Sequence, residues 1–242
     1  MIEIHNLHKA FEGQKVLNGV DLSIPDGSRL GIIGSSGSGK SVLLRCILGL
    51  ETPEQGDIFI DGKRTQLMDR HQWQAVLDQF GVVFQRSALF DSLSVGENVG
   101  IKLYEAHVLD EGQIEAQVLD ALAKVQLGPE VMKKYPEELS GGMQKRVAIA
   151  RAIIHQPRYL VYDEPTTGLD PISADRIDEL ILELAAEEGR TTIVVTHDMD
   201  SLHKIANQVA MVHDKQIGFR ASPAEFWESE RPEIKAFLRR SR

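Results

Sequence analysis

The sequence predicts an α/β fold with a mixed β-sheet core, an antiparallel β part and an inserted helical subdomain. Three observations predict it. A glycine-rich turn, Gly34-Ser35-Ser36-Gly37-Ser38-Gly39-Lys40-Ser41, stands between the apolar run at residues 30–33 and a Val-Leu-Leu helix start. Residues 2–28 alternate apolar and polar side chains with the period of half-buried strands. From about residue 97 to 139 the spacing becomes helical, after which strongly apolar strand segments resume at 159–164 and 191–196.

The chain has 242 residues, 42% of them hydrophobic, enough for one substantial core. Its formal net charge of -9 offers no basic face for nucleic acid. Cys46 is the single cysteine, so no internal disulfide forms and a reducing compartment suits the chain. Its place in an apolar helix makes it a small buried hydrophobe rather than a reactive thiol. The start, Met1-Ile2-Glu3-Ile4, lacks signal-peptide character. No apolar run approaches the roughly 18 residues of a membrane span, so any work at a membrane needs another chain to supply the spanning helices.

Taken in order, Ile2 and Ile4, then Val20, Leu22 and Ile24, mark the first strands, with turns at Glu12-Gly13 and Pro25-Asp26-Gly27. Phe11 is read either as a core aromatic or as a ring placed to stack on an adenine. Residues 34–41 fit the phosphate-loop pattern G-x-x-x-x-G-K-[ST], called Walker A. Glycines let successive N–H groups turn inward around a triphosphate, and the helix that follows adds its free N–H groups and positive end. Lys40 pairs the β- and γ-phosphates, and the Ser41 hydroxyl ligates Mg²⁺. The helix stops near Gly49 or before Pro53. Residues 56–62 form a strand between turn residues, residues near 69–79 a helix, and residues 81–85 a buried strand ending in Gln85. That glutamine is a plain loop residue or, in a nucleotide site, a reach to Mg²⁺ or the attacking water.

Ile114, Val118, Ala121, Leu122 and Val125 keep helical spacing and form local core in the inserted part. Leu139-Ser140-Gly141-Gly142-Met143-Gln144 then opens a helix at residues 143–155, with Ser140 as cap. It is a plain cap or a second anion-binding helix end for nucleotide held by another copy, because one triphosphate uses only one phosphate loop. Tyr159-Leu160-Val161-Tyr162-Asp163-Glu164 is a buried strand ending in paired acids, the Walker B pattern: Asp163 holds Mg²⁺ and Glu164 polarises the attacking water. A turn-rich link, Pro165-Thr166-Thr167-Gly168-Leu169-Asp170-Pro171, leads to a helix at 173–187. His197 ends the strand 191–196, where open α/β sheets carry ligands, which moves it from a structural role towards sensing the γ-phosphate. Short strands at 209–212 and 216–219 close the sheet. A helical tail starts with the capping box Ser222-Pro223-Ala224-Glu225. It carries Ile234, Phe237 and Leu238 on one face, and Arg239, Arg240 and Arg242 as helix-end cations or as contacts to anionic lipid or a partner.

The ordered set of Phe11, residues 34–41, Gln85, residues 139–144, residues 159–164, residues 168–170 and His197 resembles the nucleotide-binding subunit of ABC transporters over nearly the whole chain. The resemblance implies a P-loop NTPase fold in a single nucleotide-binding domain over residues 1–242. The helical subdomain would start within about 97–139, and the helical tail would span about 220–242. ATP and Mg²⁺ are the implied cofactors, Phe11 the adenine-stacking residue, Gln85 the Q-loop residue and His197 the switch histidine. It further implies a head-to-tail dimer in which each ATP lies between residues 34–41 of one copy and Ser140, Gly141 and Gly142 of the other, with Asp170 crossing the interface. Residues 84–95 and 168–172 look like the Mla/MCE branch, whose ATPase drives phospholipid traffic between inner and outer membranes. In this family the segment after Gln85 meets the transmembrane permease. The expectation is therefore a peripheral ATPase on the cytoplasmic face of a bacterial inner membrane, partnered by a permease and a second copy of itself, with an MCE-domain protein and a small regulatory subunit as further candidates and no nucleic acid. An importer of amino acids or another small solute is the alternative, and a soluble mechanical ATPase a remote one. A small-molecule kinase leaves residues 139–144 and His197 unexplained.

Overall fold

The structure, a computed structural model, describes residues 1–240. Arg242 of the expected basic tail and the Arg240 side chain lie outside the described residues. The chain opens with β1 (Ile2–Phe11) and β2 (Gln14–Ile24), an antiparallel hairpin. Both turn residues, Glu12 (φ 49°) and Gly13 (φ 80°), are left-handed, which matches the twist of a two-residue hairpin. β3 (Arg29–Ile33) and α1 (Lys40–Ile47) flank the glycine-rich loop. β4 (Gln55–Ile60) joins β1 antiparallel, and β5 (Lys63–Arg64) completes a sheet in the order β2-β1-β4-β5.

α2 (Arg70–Leu77) follows behind an Asp69 capping box, then β6 (Phe80–Val83). The helical stretch comprises α3 (Val95–Ala106) and α4 (Glu111–Lys124), each started by a capping box, from Ser94 and Asp110. Beyond α4 it breaks into single 3₁₀ turns at Pro129–Val131 and Pro136–Glu138. His107 and Gln126 are left-handed and each proline opens a new turn, so the helical periodicity does not extend to residue 139 as one helix. α5 (Gly141–Ile153), β7 (Tyr159–Asp163), α6 (Pro171–Ala186), β8 (Thr191–Val195), α7 (Met199–Ile205), β9 (Gln208–His213), β10 (Gln216–Ala221), α8 (Pro223–Trp227) and α9 (Pro232–Arg240) follow.

The second sheet runs β10-β9-β3-β8-β7-β6, parallel throughout except for β10. Its inner strands are covered on both faces, so β8 is buried at every position and reads as a continuous apolar and Thr run. One core lies between this sheet and α3, α4, α5 and α6; a second joins its other face to the antiparallel sheet and α1. The tail packs through Phe226, Ile234 and Phe237 onto Ile33, Leu202, Val209 and Met211. Parallel strands put their carboxyl ends on one edge. Gly34 follows β3, Gln85 follows β6, Asp163 ends β7 and His197 follows β8, so the predicted residues meet at that edge.

Two contacts set the frame. Gly81 in β6 lies against α5 so closely that a Cβ there would come within 2.3 Å of the Ala152 carbonyl and 2.9 Å of both Leu160 and Pro157. Between α6 and α7, Ser201 donates to the buried carboxylate of Asp178 at 2.7 Å, and Thr166 lies 3.5 Å from the same hydroxyl. Burial pushes the Asp178 carboxyl up to about 6 from its ordinary 3.8, although the Ser201 hydrogen bond opposes it.

Gly81→Ala is expected to cost about 2–3 kcal/mol, because backbone and core must both give way; a urea unfolding midpoint equal to wild type contradicts the packing described. The raised Asp178 value contributes stability that is complete below 3.8 and lost as pH rises through about 6. Asp178→Asn keeps an acceptor for Ser201 without the charge. The variant is expected to exceed wild type by about 1–3 kcal/mol at pH 7.5 and to lose that advantage at pH 4.5. An advantage at pH 4.5 alone, in urea titrations at the two pH values, reverses this sign and rejects it.

Candidate functional site

The glycine-rich loop is shaped by contacts that only glycine permits. At Gly34 (φ 150°) a Cβ would sit 2.5 Å from the Val212 carbonyl and 2.7 Å from Ser38 Oγ. Gly39 (φ 107°) caps α1 beside Val16 and Leu17 of β2, with Val16 O and Leu17 Cδ2 each 3.0 Å from its would-be Cβ. Gly37 is left-handed and faces open space at the crest, and Ser35 and Ser36 are exposed beside it. The buried Lys40 ammonium donates to the carbonyls of Gly34 (2.9 Å) and Ser35 (3.2 Å), both within its own loop. Burial lowers its proton affinity, against the pull of Glu164 and Asp163. Ser38 Oγ is buried without a hydrogen-bond partner. A free hydroxyl, an amine held only by loop carbonyls and the N-terminus of α1 form a cradle whose donors fit phosphate oxygens.

Ser41 Oγ donates to Asp163 Oδ1 at 3.2 Å, bringing together the two expected Mg²⁺ ligands. Burial raises the Asp163 carboxyl and Glu164 adds to it, while Ser41, Arg45 and Lys40 pull the other way. Among the described residues no three His, Cys, Asp or Glu side chains converge as a metal cage. A hydroxyl and one carboxylate instead fit a hard divalent cation that takes its remaining oxygens from phosphate and water, as Mg²⁺ does.

Glu164 is left-handed (φ 49°), and its amide donates to the Val195 carbonyl at 2.8 Å, which fixes the turn at the end of β7. Its Oε2 is a shared acceptor. Gln85 Nε2 donates at 3.2 Å, Thr167 Oγ1 donates at 2.9 Å, and His197 Nδ1 lies 3.3 Å away. Oε1 accepts from no side chain of the described residues. Three strand ends, β6, β7 and β8, thus converge on one carboxylate oxygen.

Lys145 of α5 is buried and donates to the Gln85 carbonyl; burial lowers its proton affinity, while Asp163 and Glu164 pull it back up. Two cations, Lys40 and Lys145, therefore flank the acid pair. Sequence reading singled out neither Thr167 nor Lys145. Thr167 looks like one more turn residue. Lys145 does leave a signal: it occupies the face of α5 that also carries the buried Ala148, Ile149 and Ala152, where a helix of this kind places apolar side chains.

The other predicted residues lie apart from this cluster. Ser140 caps α5, accepting from the Met143 amide at 3.3 Å, and is exposed with Gly141. A Cβ on Gly141 or Gly142 would meet nothing closer than 3.5 Å, and neither residue is left-handed. Packing within this chain gives no reason for glycine at either position. Asp170 caps α6, accepting from the amides of Ile172 (3.1 Å) and Ser173 (3.0 Å), and the Ser173 hydrogen bonds hold its carboxyl below the usual range. Phe11 is exposed at the end of β1, with the Lys9 ammonium 4.8 Å from its ring centroid.

Residues 17–167 match the family model described as ABC transporter. The chain is 37% identical to the protein Trigalactosyldiacylglycerol 3, chloroplastic, of Arabidopsis thaliana, over 98% of this chain and 73% of that one. It is also 37% identical to the methionine import ATP-binding protein MetN 2 of Pseudomonas entomophila, over 98% of this chain and 72% of that one. Among solved structures, the dimeric post-hydrolysis state of the ATP-binding cassette MJ0796 bound to ADP and Pi superposes with a TM-score of 0.84 at 30% identity. That match covers 92% of this chain and 98% of the other.

Gly34→Ala should displace the loop, since the Val212 carbonyl cannot retreat without breaking into β9. Affinity for a fluorescent ATP analogue in the presence of Mg²⁺ is expected to fall at least about tenfold. Wild-type affinity in an equilibrium titration rejects the cradle as described.

Proposed function

This chain belongs to the ABC transporter family, and from that premise we propose that Glu164 is the general base of its ATP hydrolysis, working in a head-to-tail pair of chains that powers a transmembrane permease. The chain is an ATPase that binds ATP with Mg²⁺. The observation that carries the reading is the shared acceptor: Gln85, Thr167 and His197 all meet Glu164 Oε2, next to Lys40, Ser41 and Asp163.

In this reading Lys40 exchanges the carbonyls of Gly34 and Ser35 for the β- and γ-phosphates, and Ser38 Oγ gains the partner it lacks. Ser41 and Asp163 hold Mg²⁺, with Gln85 in reach. The cation neutralises charge on the phosphate oxygens. Glu164 keeps Oε2 against its three neighbours and turns Oε1 to the attacking water, taking its proton. His197 stands at the edge of the site to sense the γ-phosphate. The glycines at 141 and 142, which packing within one chain does not require, suit close approach of a nucleotide held by a second copy to the α5 end. Ser140 and the helix N-terminus supply donors there. Asp170, exposed at the end of the link after Glu164, would meet that partner across the interface. Phe11 stacks on adenine.

Among the described residues no helix is long and apolar enough to cross a membrane, so the spanning helices belong to the permease. We assign the chain to the cytoplasmic face of a bacterial inner membrane, as a peripheral subunit. Import of an amino acid or similar small solute is the cargo reading that the name of the methionine import relative supports. Phospholipid transport of the Mla/MCE type, with an MCE-domain protein and a small regulatory subunit, is the second reading. It is favoured by the resemblance of residues 84–95 and by a relative named for a galactolipid at the same 37% identity.

Glu164→Gln is expected to lower kcat by at least about 100-fold while Mg-ATP binding persists and dimer accumulates in light scattering. Hydrolysis at the wild-type rate removes the base assignment. Purification of the native complex in mild detergent separates the cargo readings. A permease with a solute-binding protein is expected for the first, and an MCE-domain protein with co-purifying phospholipid rejects it in favour of the second.

A further inference from the structure

We propose that Lys145 and Arg151 of α5 are positioning residues that clamp the backbone of the Gln85 segment, so that the Gln85 of one nucleotide site and the α5 end offered to the other site move as one body. The inference rests on the ATPase reading above and goes beyond it by assigning two residues and a link between the sites.

Gln85 leaves β6 for a stretch without regular structure that lasts until Ser94 caps α3. Within it Ser87 (φ 59°) and Ala88 (φ 48°) are successive left-handed residues, neither of them glycine. Such a backbone persists only when its surroundings hold it. The holding groups come from α5. Lys145 Nζ donates to the Gln85 carbonyl. Arg151 forks across the next turn, Nη2 donating to Ser87 O at 2.9 Å and Nη1 to Ala88 O at 2.7 Å. Further along, the fully buried Asn98 of α3 donates to the carbonyls of Phe90, Leu93 and Ser94 and accepts from the Phe90 amide at 2.8 Å. The segment is thus pinned at both ends, by α5 near Gln85 and by α3 near the cap.

A lysine with 4% exposure is a costly way to fill a helix face, and Lys145 is matched there by one backbone carbonyl and by the nearby charges of Asp163 and Glu164. The cost becomes intelligible if the carbonyl it holds belongs to the residue that reaches Glu164. The same helix is capped by Ser140 and begins with Gly141 and Gly142, about one turn before Lys145 by the 3.6-residue period. A displacement of that end by nucleotide on the partner therefore passes through the rigid helix to Gln85 O, and from the Gln85 amide to Glu164 Oε2. Gly81, with no space for a Cβ against Ala152 O, keeps β6 and α5 in register behind it.

The test uses the full-length chain assembled with its permease, comparing wild type, Lys145→Met, Lys145→Arg and Arg151→Met. Amide hydrogen exchange in peptides covering residues 84–94 is expected to speed up at least about tenfold in both methionine variants. kcat should fall about tenfold or more, with KM for ATP within about threefold and the Hill coefficient moving towards one, and Lys145→Arg should restore most of kcat. Unchanged exchange at 84–94, or a kcat loss that only tracks a lost folded fraction, overturns the proposal. If Lys145→Met does not fold, Arg151→Met, which removes the other half of the clamp, carries the same readouts. Absence of ATP hydrolysis by the wild-type complex strikes the ATPase reading instead, while the exchange measurement still decides the clamp.

Discussion

Two adjacent carboxylates at the end of a buried strand impose the main constraint on this molecule. Asp163 and Glu164 repel one another where water is scarce, and each must be matched by donors or cations. The fold answers from every side. The loop after β3 brings Lys40 and Ser41, the segment after β6 brings Gln85, the segment after β8 brings His197, and the turn beyond β7 returns Thr167. α5 adds Lys145 from behind. The strand order β3-β8-β7-β6 puts β7 between the strands that carry the histidine and the glutamine, so parallel topology alone gathers these groups. Reversing any one strand would send its contribution to the opposite edge.

How far these features show in the amino-acid sequence depends on the range over which each is determined. The phosphate loop is legible because eight consecutive residues fix its shape: Gly34 must clear Val212 O, Gly37 and Gly39 must be left-handed, and Lys40 closes on carbonyls five and six residues back. Helix starts are legible for the same reason, with Asp69, Ser94, Asp110 and Ser222 each exchanging hydrogen bonds with a residue three positions on. The shared oxygen of Glu164 is different. Its partners lie 79 residues before it and as far as His197 after it, and only tertiary folding shows that they select the same atom. Thr167 is hidden in a turn whose composition already explains it. The mainly helical character expected for about 97–139 is present, but beyond α4 it survives only as single turns, with Val131 and Leu139 buried from 3₁₀ and irregular backbone.

Preorganisation is visible in what the loop lacks as much as in what it has. Lys40 is held only by carbonyls of its own loop, so in the proposed reading phosphate would replace weak acceptors by charged ones. Ser38 Oγ is buried and unpaired, a polar group whose desolvation is already suffered and whose hydrogen bond is still to be made. Both features lower the reorganisation that accompanies binding, which is how fixed donors stabilise developing charge more effectively than water does.

Ser140 and Gly141 lie exposed and apart from the acid cluster, and the proposed reading gives them nucleotide held by a second chain. Glu164, Asp163 and Ser41 find partners inside one copy. Ser140 and Gly141 are exposed, the glycines there answer no steric need, and Gly168 faces open space in the link that leads to Asp170. Glycine in an exposed helix start costs helix stability relative to alanine, so its use there calls for an occupant that comes closer than a Cβ would allow. A flat, donor-rich helix end of this kind opposite the phosphate cradle of another copy would bury the γ-phosphate between them and exclude water from all but the attacking position. Charge stabilisation by Lys40 and by the α5 end would then act together only in the closed pair, and hydrolysis would be confined to the state in which both chains have moved.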